Sequence, residues 1–264
     1  MTTRRIILAT ALAAVAFTTP ALAQQNQVVR IGASPGPHAE ILEKVKPIAA
    51  KNGLDLKIIE FSDYVVPNQA LAAGELEANS FQNQPYLDNQ VKDRGFKLVS
   101  VGLTVNFPLG IYSSKYKSWA EVPDGATVAI QNDPTNGGRA LLVLASKGVL
   151  KVKEEAGLKV TPADITENPK NIQIVELDAA QLPRSLDDTD ASVINTNYAT
   201  AAGLNPKKDA IAVESEKSPY ANIIAVRAQD KDKPWVKTLV ESYHSPEVKA
   251  FILEKYNGTV IPSW

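Results

Sequence analysis

The sequence predicts an α/β protein built as two lobes, each a mostly parallel sheet flanked by helices. Three observations predict it. Short apolar runs of strand length alternate with segments of helical period, the pattern of βαβ units. The alternation runs from residue 28 to 105 and restarts near residue 126. Two stretches, 70–83 and 182–197, also share one shape: a short helix, a turn, a short apolar strand, then a polar cluster at the strand's C-terminal end. In open α/β sheets that end is where ligands bind. One such end per lobe predicts a ligand cleft between the lobes, with chance likeness of two βα units as the alternative.

Residues 28–33 read as a first strand, ended by Ser34-Pro35-Gly36-Pro37. A helix over 38–51 stops at Asn52-Gly53. The second strand is 54–61, where alternation is good enough for a half-buried strand. A short helix at 68–73, a brief strand at 78–81 and a helix through 87–92 follow. Residues 96–105 are strongly β-like. In the second half, 126–130 is a strand and 134–147 a helix. Then come a strand at 172–175, a short helix at 179–186 and strands at 191–194 and 221–226. Helices at Pro234–Tyr243 and Pro246–Tyr256 close the chain.

The first residues carry an address. Arg4 and Arg5 form a charged start, 6–17 an apolar core, and Ala21-Leu22-Ala23 a small-residue cleavage site. Residues 1–23 therefore read as an export signal, too short in its apolar core to span a bilayer comfortably. About 240 residues then remain, ample for two lobes. They are divided as 24–110 for the first lobe, 111–218 for the second, and 219–264 for a return to the first. The sequence contains no cysteine, so there is no disulfide framework, no thiol nucleophile and no Cys to carry a lipid. The expected location is the periplasm, soluble and not lipid-anchored.

Function classes narrow further. The formal charge is −1, and loss of Arg4 and Arg5 lowers it by two. Neither value fits a nucleic-acid footprint or an electrostatic membrane binder. Phosphate-binding loops, the nucleophile elbow and the dinucleotide fingerprint are absent. The two histidines, His38 and His244, are far apart and read as structural. No metal site and no cofactor are expected, and the acidic run Asp187-Asp188-Thr189-Asp190 lacks the calcium-loop pattern.

One segment does carry binding chemistry. In Asn132-Asp133-Pro134-Thr135-Asn136-Gly137-Gly138-Arg139, Asp133 suits a helix N-cap and Pro134 the first helical position. Backbone N–H groups and the positive end of the helix dipole gather there. Arg139, on the next turn, adds a forked donor suited to a carboxylate or phosphate. The plain alternative is a surface arginine on a capped helix.

Several ordered segments resemble the NlpA-type substrate-binding proteins, the methionine-binding receptors of ABC importers. They are Gly32-Ala33-Ser34-Pro35-Gly36-Pro37-His38-Ala39-Glu40, Phe61-Ser62-Asp63-Tyr64-Val65-Val66-Pro67-Asn68, Ser80-Phe81-Gln82-Asn83-Gln84-Pro85-Tyr86-Leu87 and the segment ending at Arg139. Next are Leu182-Pro183-Arg184-Ser185-Leu186-Asp187-Asp188, Asn195-Thr196-Asn197-Tyr198-Ala199 and Ser218-Pro219-Tyr220-Ala221-Asn222. The resemblance implies a bilobed periplasmic-binding-protein fold with two connecting segments and an amino acid between the lobes. It also implies roles. Tyr64, Phe81 and Tyr86 would form an aromatic wall, and Arg139 would take the ligand carboxylate. Asn195 and Asn222 would hold the amino and carboxyl groups.

The implied function is delivery of methionine or a close relative to an ABC permease and its ATPase subunit, by a monomer that is not an enzyme. Membrane contact would come only through the transporter. Another amino acid, a short peptide or a sulfur compound is the alternative ligand, and an enzyme on the same scaffold the alternative class. Two departures stand out. Most members have a cysteine where this chain has Gln24, and most methionine binders have histidine where it has Asn83. Asn is smaller and presents both donor and acceptor, so residue 83 is counted with the ligand-binding set.

Overall fold

The computed structural model describes residues 26–264. The export signal expected over 1–23, with its cleavage after Ala23, lies outside them. In chain order the first half forms β1 (Gln27–Ala33), α1 (Pro37–Lys51), β2 (Leu54–Glu60), α2 (Val66–Ala73), β3 (Ala78–Ser80), α3 (Gln84–Arg94) and β4 (Leu98–Leu103). The chain then passes through β5 (Val105–Asn106) to β6 (Gly110–Tyr112), β7 (Thr127–Gln131) and α4 (Pro134–Ser146). A small antiparallel pair, β8 (Lys151–Val152) and β9 (Ile165–Glu167), precedes β10 (Gln173–Leu177). Next are α5 (Leu182–Ser185), β11 (Ala191–Ile194), α6 (Thr196–Ala201) and β12 (Ala210–Val213). Last come β13 (Ile223–Arg227), α7 (Pro234–Tyr243), α8 (Pro246–Tyr256) and β14 (Ile261–Pro262).

Two five-stranded sheets result, ordered β2-β1-β3-β13-β4 and β10-β7-β11-β6-β12. The two stretches of like shape in the sequence end in β3 and β11, and these hold the same place in the two sheets. Both sheets are mixed rather than simply parallel. In the first, β13 pairs antiparallel with β3 and β4; in the second, β6 does so with β11 and β12. The remaining strands of each sheet share one direction. The reason is the route of the chain. β6 and β13 are the strands entered after each crossing between lobes, from the end where the parallel strands finish. They must therefore run the other way.

Each sheet is covered on both faces, as alternation along its inner strands dictates. In β13, Ile224 and Val226 join the core under α1, α7 and α8, while Ile223 and Ala225 face the core with Leu71, Leu76 and Leu87. In β7, Val128 and Ile130 pack with Leu141 and Leu144 of α4, and Ala129 packs with Leu182 of α5. Four apolar clusters follow, two per lobe.

The two crossings, 104–109 and 214–222, lie side by side. The Thr104 N–H donates to the Asn222 carbonyl at 2.7 Å, and the Asn222 N–H to the Val105 carbonyl at 2.8 Å. The C-terminal β14 pairs with β5, so the chain's end braces the first crossing. β6 and β12 were not expected from the sequence; they are three and four residues long, and β12 carries a register shift. The expected strand 96–105 divides into β4 and β5 at Thr104.

Candidate functional site

The ends of β3, β7 and β11, the N-termini of α1, α3, α4 and α6, and the crossings meet around a narrow cavity with about 20 Å³ of free space. Tyr64, Phe81, Asn83, Tyr86, Arg139, Asn195 and Asn222 all line it. The sequence placed these residues together, and the fold brings them together.

Arg139 is set by the local chemistry of its helix. Asp133 caps α4, its Oδ1 accepting from the Thr135 and Asn136 N–H groups at 3.1 and 2.9 Å. The donors expected to be open at this helix start are therefore met within the protein. Desolvation of the half-buried Asp133 pushes its carboxyl up, while these N–H groups pull it down. Gly137 and Gly138 let α4 come close: a Cβ at Gly137 would stand 2.6 Å from the Gln131 carbonyl oxygen, and one at Gly138 2.8 Å from that of Val160. The helix is thus pressed against the end of β7, with Arg139 turned into the cavity.

Arg139 is not a surface arginine. Its side chain is 3% exposed and is paired with Glu214, 8% exposed, on the second crossing. Nε donates to Glu214 Oε1 at 3.0 Å, and Nη2 to Glu214 Oε2 and to the Phe107 carbonyl, the latter at 2.8 Å. The Tyr220 ring lies 4.4 Å from the guanidinium carbon, a cation–π contact. Nη1 makes no hydrogen bond to the described residues and is the part of the guanidinium left open. Glu214 also accepts the Leu109 N–H at 3.0 Å, from the first crossing.

The amides divide into fixed and unspent groups. Asn195 accepts from Gln131 Nε2 at 2.7 Å and donates to Asn136 Oδ1 at 3.2 Å. Asn83 is the N-cap of α3, its Oδ1 accepting from the Tyr86 N–H at 2.9 Å. Its Nδ2 and the Asn222 side chain make no hydrogen bond to the described residues, while the Asn222 backbone bridges to Asn83. Asn197 Nδ2 is buried without a partner.

The rings of Tyr64, Phe81 and Tyr86 come together in the cavity wall. Tyr64 and Phe81 lie 6.0 Å apart between ring centroids, and Phe81 meets Tyr86 edge-on at 6.2 Å. Tyr64 also packs on Tyr198 at 5.0 Å. Its hydroxyl is buried, which raises its pKa well above the ordinary value. Two hydrogen bonds cross between lobes here: Tyr64 OH to Asn197 Oδ1 at 2.7 Å, and Tyr198 OH to the Ser62 carbonyl at 2.9 Å. The lobes are closed on each other.

Sequence reasoning missed several lining residues. His38, read as structural, sits in the cavity wall against Phe107 at 4.7 Å, with Nδ1 unpartnered. Burial lowers its pKa to about 3, so its ring is neutral. Gln82, Asn136, Thr196 and Asn197 also line the cavity, and each stands inside a segment that carried the family resemblance. Phe107 and Glu214 had no such signal. Glu214 is 75 residues from Arg139, and only the fold pairs them.

A two-lobed α/β chain with a closed cavity between its sheets is the architecture of a periplasmic solute-binding protein. The chain belongs to the NlpA lipoprotein family, whose model matches residues 29–264. It is 48% identical over 239 residues to the D-methionine-binding lipoprotein MetQ of Salmonella typhimurium, covering 89% of this chain and 88% of that one. Among solved structures, a nutrient binding protein from Burkholderia cenocepacia bound to methionine is 57% identical. It covers 89% of this chain and all of its own, with a TM-score of 0.87. The crystal structure of the methionine binding protein MetQ is 48% identical, with a TM-score of 0.87 and coverage of 90% and 98%.

These relatives correct one expectation. A protein that is not lipid-anchored was expected from the lack of cysteine, and the lipoprotein names of the family and of its curated members overturn it. The periplasmic location is consistent with the same relatives.

Proposed function

We propose that this protein is a periplasmic receptor that binds methionine between its lobes and delivers it to the permease and ATPase of an ABC importer. One observation carries the reading: a cavity between the lobes is lined by one buried guanidinium with Nη1 unspent and by three aromatic rings. Arg139 takes the carboxylate. Asn195 and Asn222 hold the amino and carboxyl groups. Tyr64, Phe81 and Tyr86 pack on the thioether, a contact that aromatic rings favour. The methionine-bound relative and the MetQ names support the ligand. The same relatives are binding proteins, which supports binding without chemical change to the ligand. Segments 24–110 with 219–264, and 111–218, act as the two moving bodies, joined at the crossings.

Asn83 favours a second ligand of the same class. Its free Nδ2 suits a side chain ending in an acceptor, such as an oxidised thioether or a short peptide. Calorimetry on ligand-stripped protein with L- and D-methionine, methionine sulfoxide, glutamine and methionine dipeptides tests the function. One-site binding led by methionine, with the ligand recovered unchanged, is the expected result. No binding across the panel would overturn the reading, and turnover of a ligand would replace it with an enzyme.

A further inference from the structure

Arg139 is the one ionic side chain among the residues lining the cavity. Its charge is already matched. Glu214 reaches the guanidinium through both carboxylate oxygens, and both side chains are shut away from water. Such a fork–fork pair fixes orientation as well as charge. The other residues lining the cavity carry no formal charge. His38 is neutral because it is buried. Asp133 does not line the cavity, and its carboxylate is committed to Thr135 and Asn136 of α4. The Phe107 carbonyl and the Tyr220 ring occupy further parts of the guanidinium, which leaves Nη1 for a ligand.

We propose that Glu214 is a specificity-determining positioning residue: by matching Arg139 it makes the cavity select zwitterions over anions or cations of the same shape. The inference rests on the amino-acid receptor reading and deepens it by naming the charge class of the ligand. The sign follows from a charge count. With Glu214 in place the empty cavity is net neutral. A zwitterion brings a carboxylate to Nη1 and an ammonium to the amides, and the closed complex stays neutral. A carboxylic acid without the ammonium leaves one buried negative charge, and the amide of the amino acid leaves one buried positive charge. Uncompensated charge is costly where water is excluded. Without Glu214 the cavity would carry the arginine charge alone, and a simple anion would be its better match.

The test uses the full chain, stripped of ligand, and three calorimetric probes. These are methionine, its deaminated analogue (the same thioether acid without the amine) and methioninamide. Wild type is expected to favour methionine over each of the others by about 100-fold or more. In Glu214→Gln, which keeps the shape and removes the charge, the preference over the deaminated acid should fall by about tenfold or more. In Glu214→Asp, which keeps the charge at a shorter reach, the preference should persist although affinity drops. A purely structural role would weaken all three ligands together, and an unchanged ratio in Glu214→Gln overturns the inference while leaving the receptor reading intact. Should circular dichroism show Glu214→Gln unfolded, wild type and Glu214→Asp decide: equal affinity for methionine and its deaminated analogue in either overturns it. Failure of wild type to bind methionine or any other neutral amino acid overturns the receptor reading, and the inference with it.

Discussion

The Tyr64 hydroxyl donates to Oδ1 of Asn197 at 2.7 Å, and this bond joins the two lobes directly. It is part-buried, and Asn197 also lines the cavity, so closure and cavity shape share one side chain. Tyr64→Phe keeps the ring in the aromatic wall and removes the cross-lobe bond. A net hydrogen bond is worth about 0.5–1.5 kcal/mol, so methionine affinity should fall about twofold to tenfold. The loss should appear mainly as faster dissociation in stopped-flow release, the rate that most interface changes move. A variant that releases ligand at the wild-type rate would show that this bond does not hold the closed state.

Arg139→Ala is expected to cost affinity and stability together. Truncating one partner of a buried, hydrogen-bonded charge pair costs about 2–5 kcal/mol. Here it also strands Glu214 in a site where only 8% of its side chain is exposed. Binding should weaken at least tenfold, and urea melts should show a stability loss of about 3–5 kcal/mol. Arg139→Lys should restore neither fully, because an ammonium cannot fork to both oxygens of Glu214. Wild-type affinity in Arg139→Ala would remove Arg139 from the proposed carboxylate contact.

His38 gives the fold a pH dependence of known sign. Burial holds its folded pKa near 3, below the ordinary value of 6.5. The unfolded chain therefore binds the proton more readily, and stability falls as pH drops below about 6.5. From pH 7.5 to 5 the loss from this residue alone is about 2 kcal/mol. The carboxyls held below their usual range, among them Glu40, Glu77 and Asp230, lose their own contribution only at lower pH. Urea melts across pH 5–7.5 should show this slope in wild type and a flatter one in His38→Gln. Equal slopes would mean that His38 accepts a proton in the folded protein.

Asn83 has two jobs that a pair of variants can separate. Its oxygen caps α3 and its Nδ2 is unspent. Asn83→Ser keeps an N-cap acceptor and removes the amide donor. Methionine sulfoxide, whose oxygen can accept from Nδ2, should lose about twofold to tenfold in that variant, with methionine nearly unchanged. Asn83→Ala should also cost about 1 kcal/mol of stability through the lost cap. Equal losses for both ligands in Asn83→Ser would remove Nδ2 from ligand selection.

Much of this site was legible before the fold because its parts are local. Asp133 and Pro134 announce the start of α4. The polar clusters after β3 and β11 each sit at a strand end that the sequence alone identifies. What stayed hidden is non-local. Glu214 and Phe107 lie on crossings with no period of their own, and their meaning depends on Arg139 arriving from a different element. The reversed strands β6 and β13 were illegible for a related reason. Strand direction is a property of the route between lobes, and an apolar run reads the same in either direction.

Glu214 accepts from Arg139 and from the Leu109 backbone, while its own N–H donates to the Leu109 carbonyl at 2.8 Å. One carboxylate therefore touches both crossings and the anchor of the cavity. Bending at the joint changes the aim of the guanidinium, and a load on the guanidinium is felt at the joint. Selection acting at residue 214 therefore cannot tune the strength of the grip and the ease of opening as separate traits. A change at residue 214 moves both at once, and a faster carrier built there will also be a looser one.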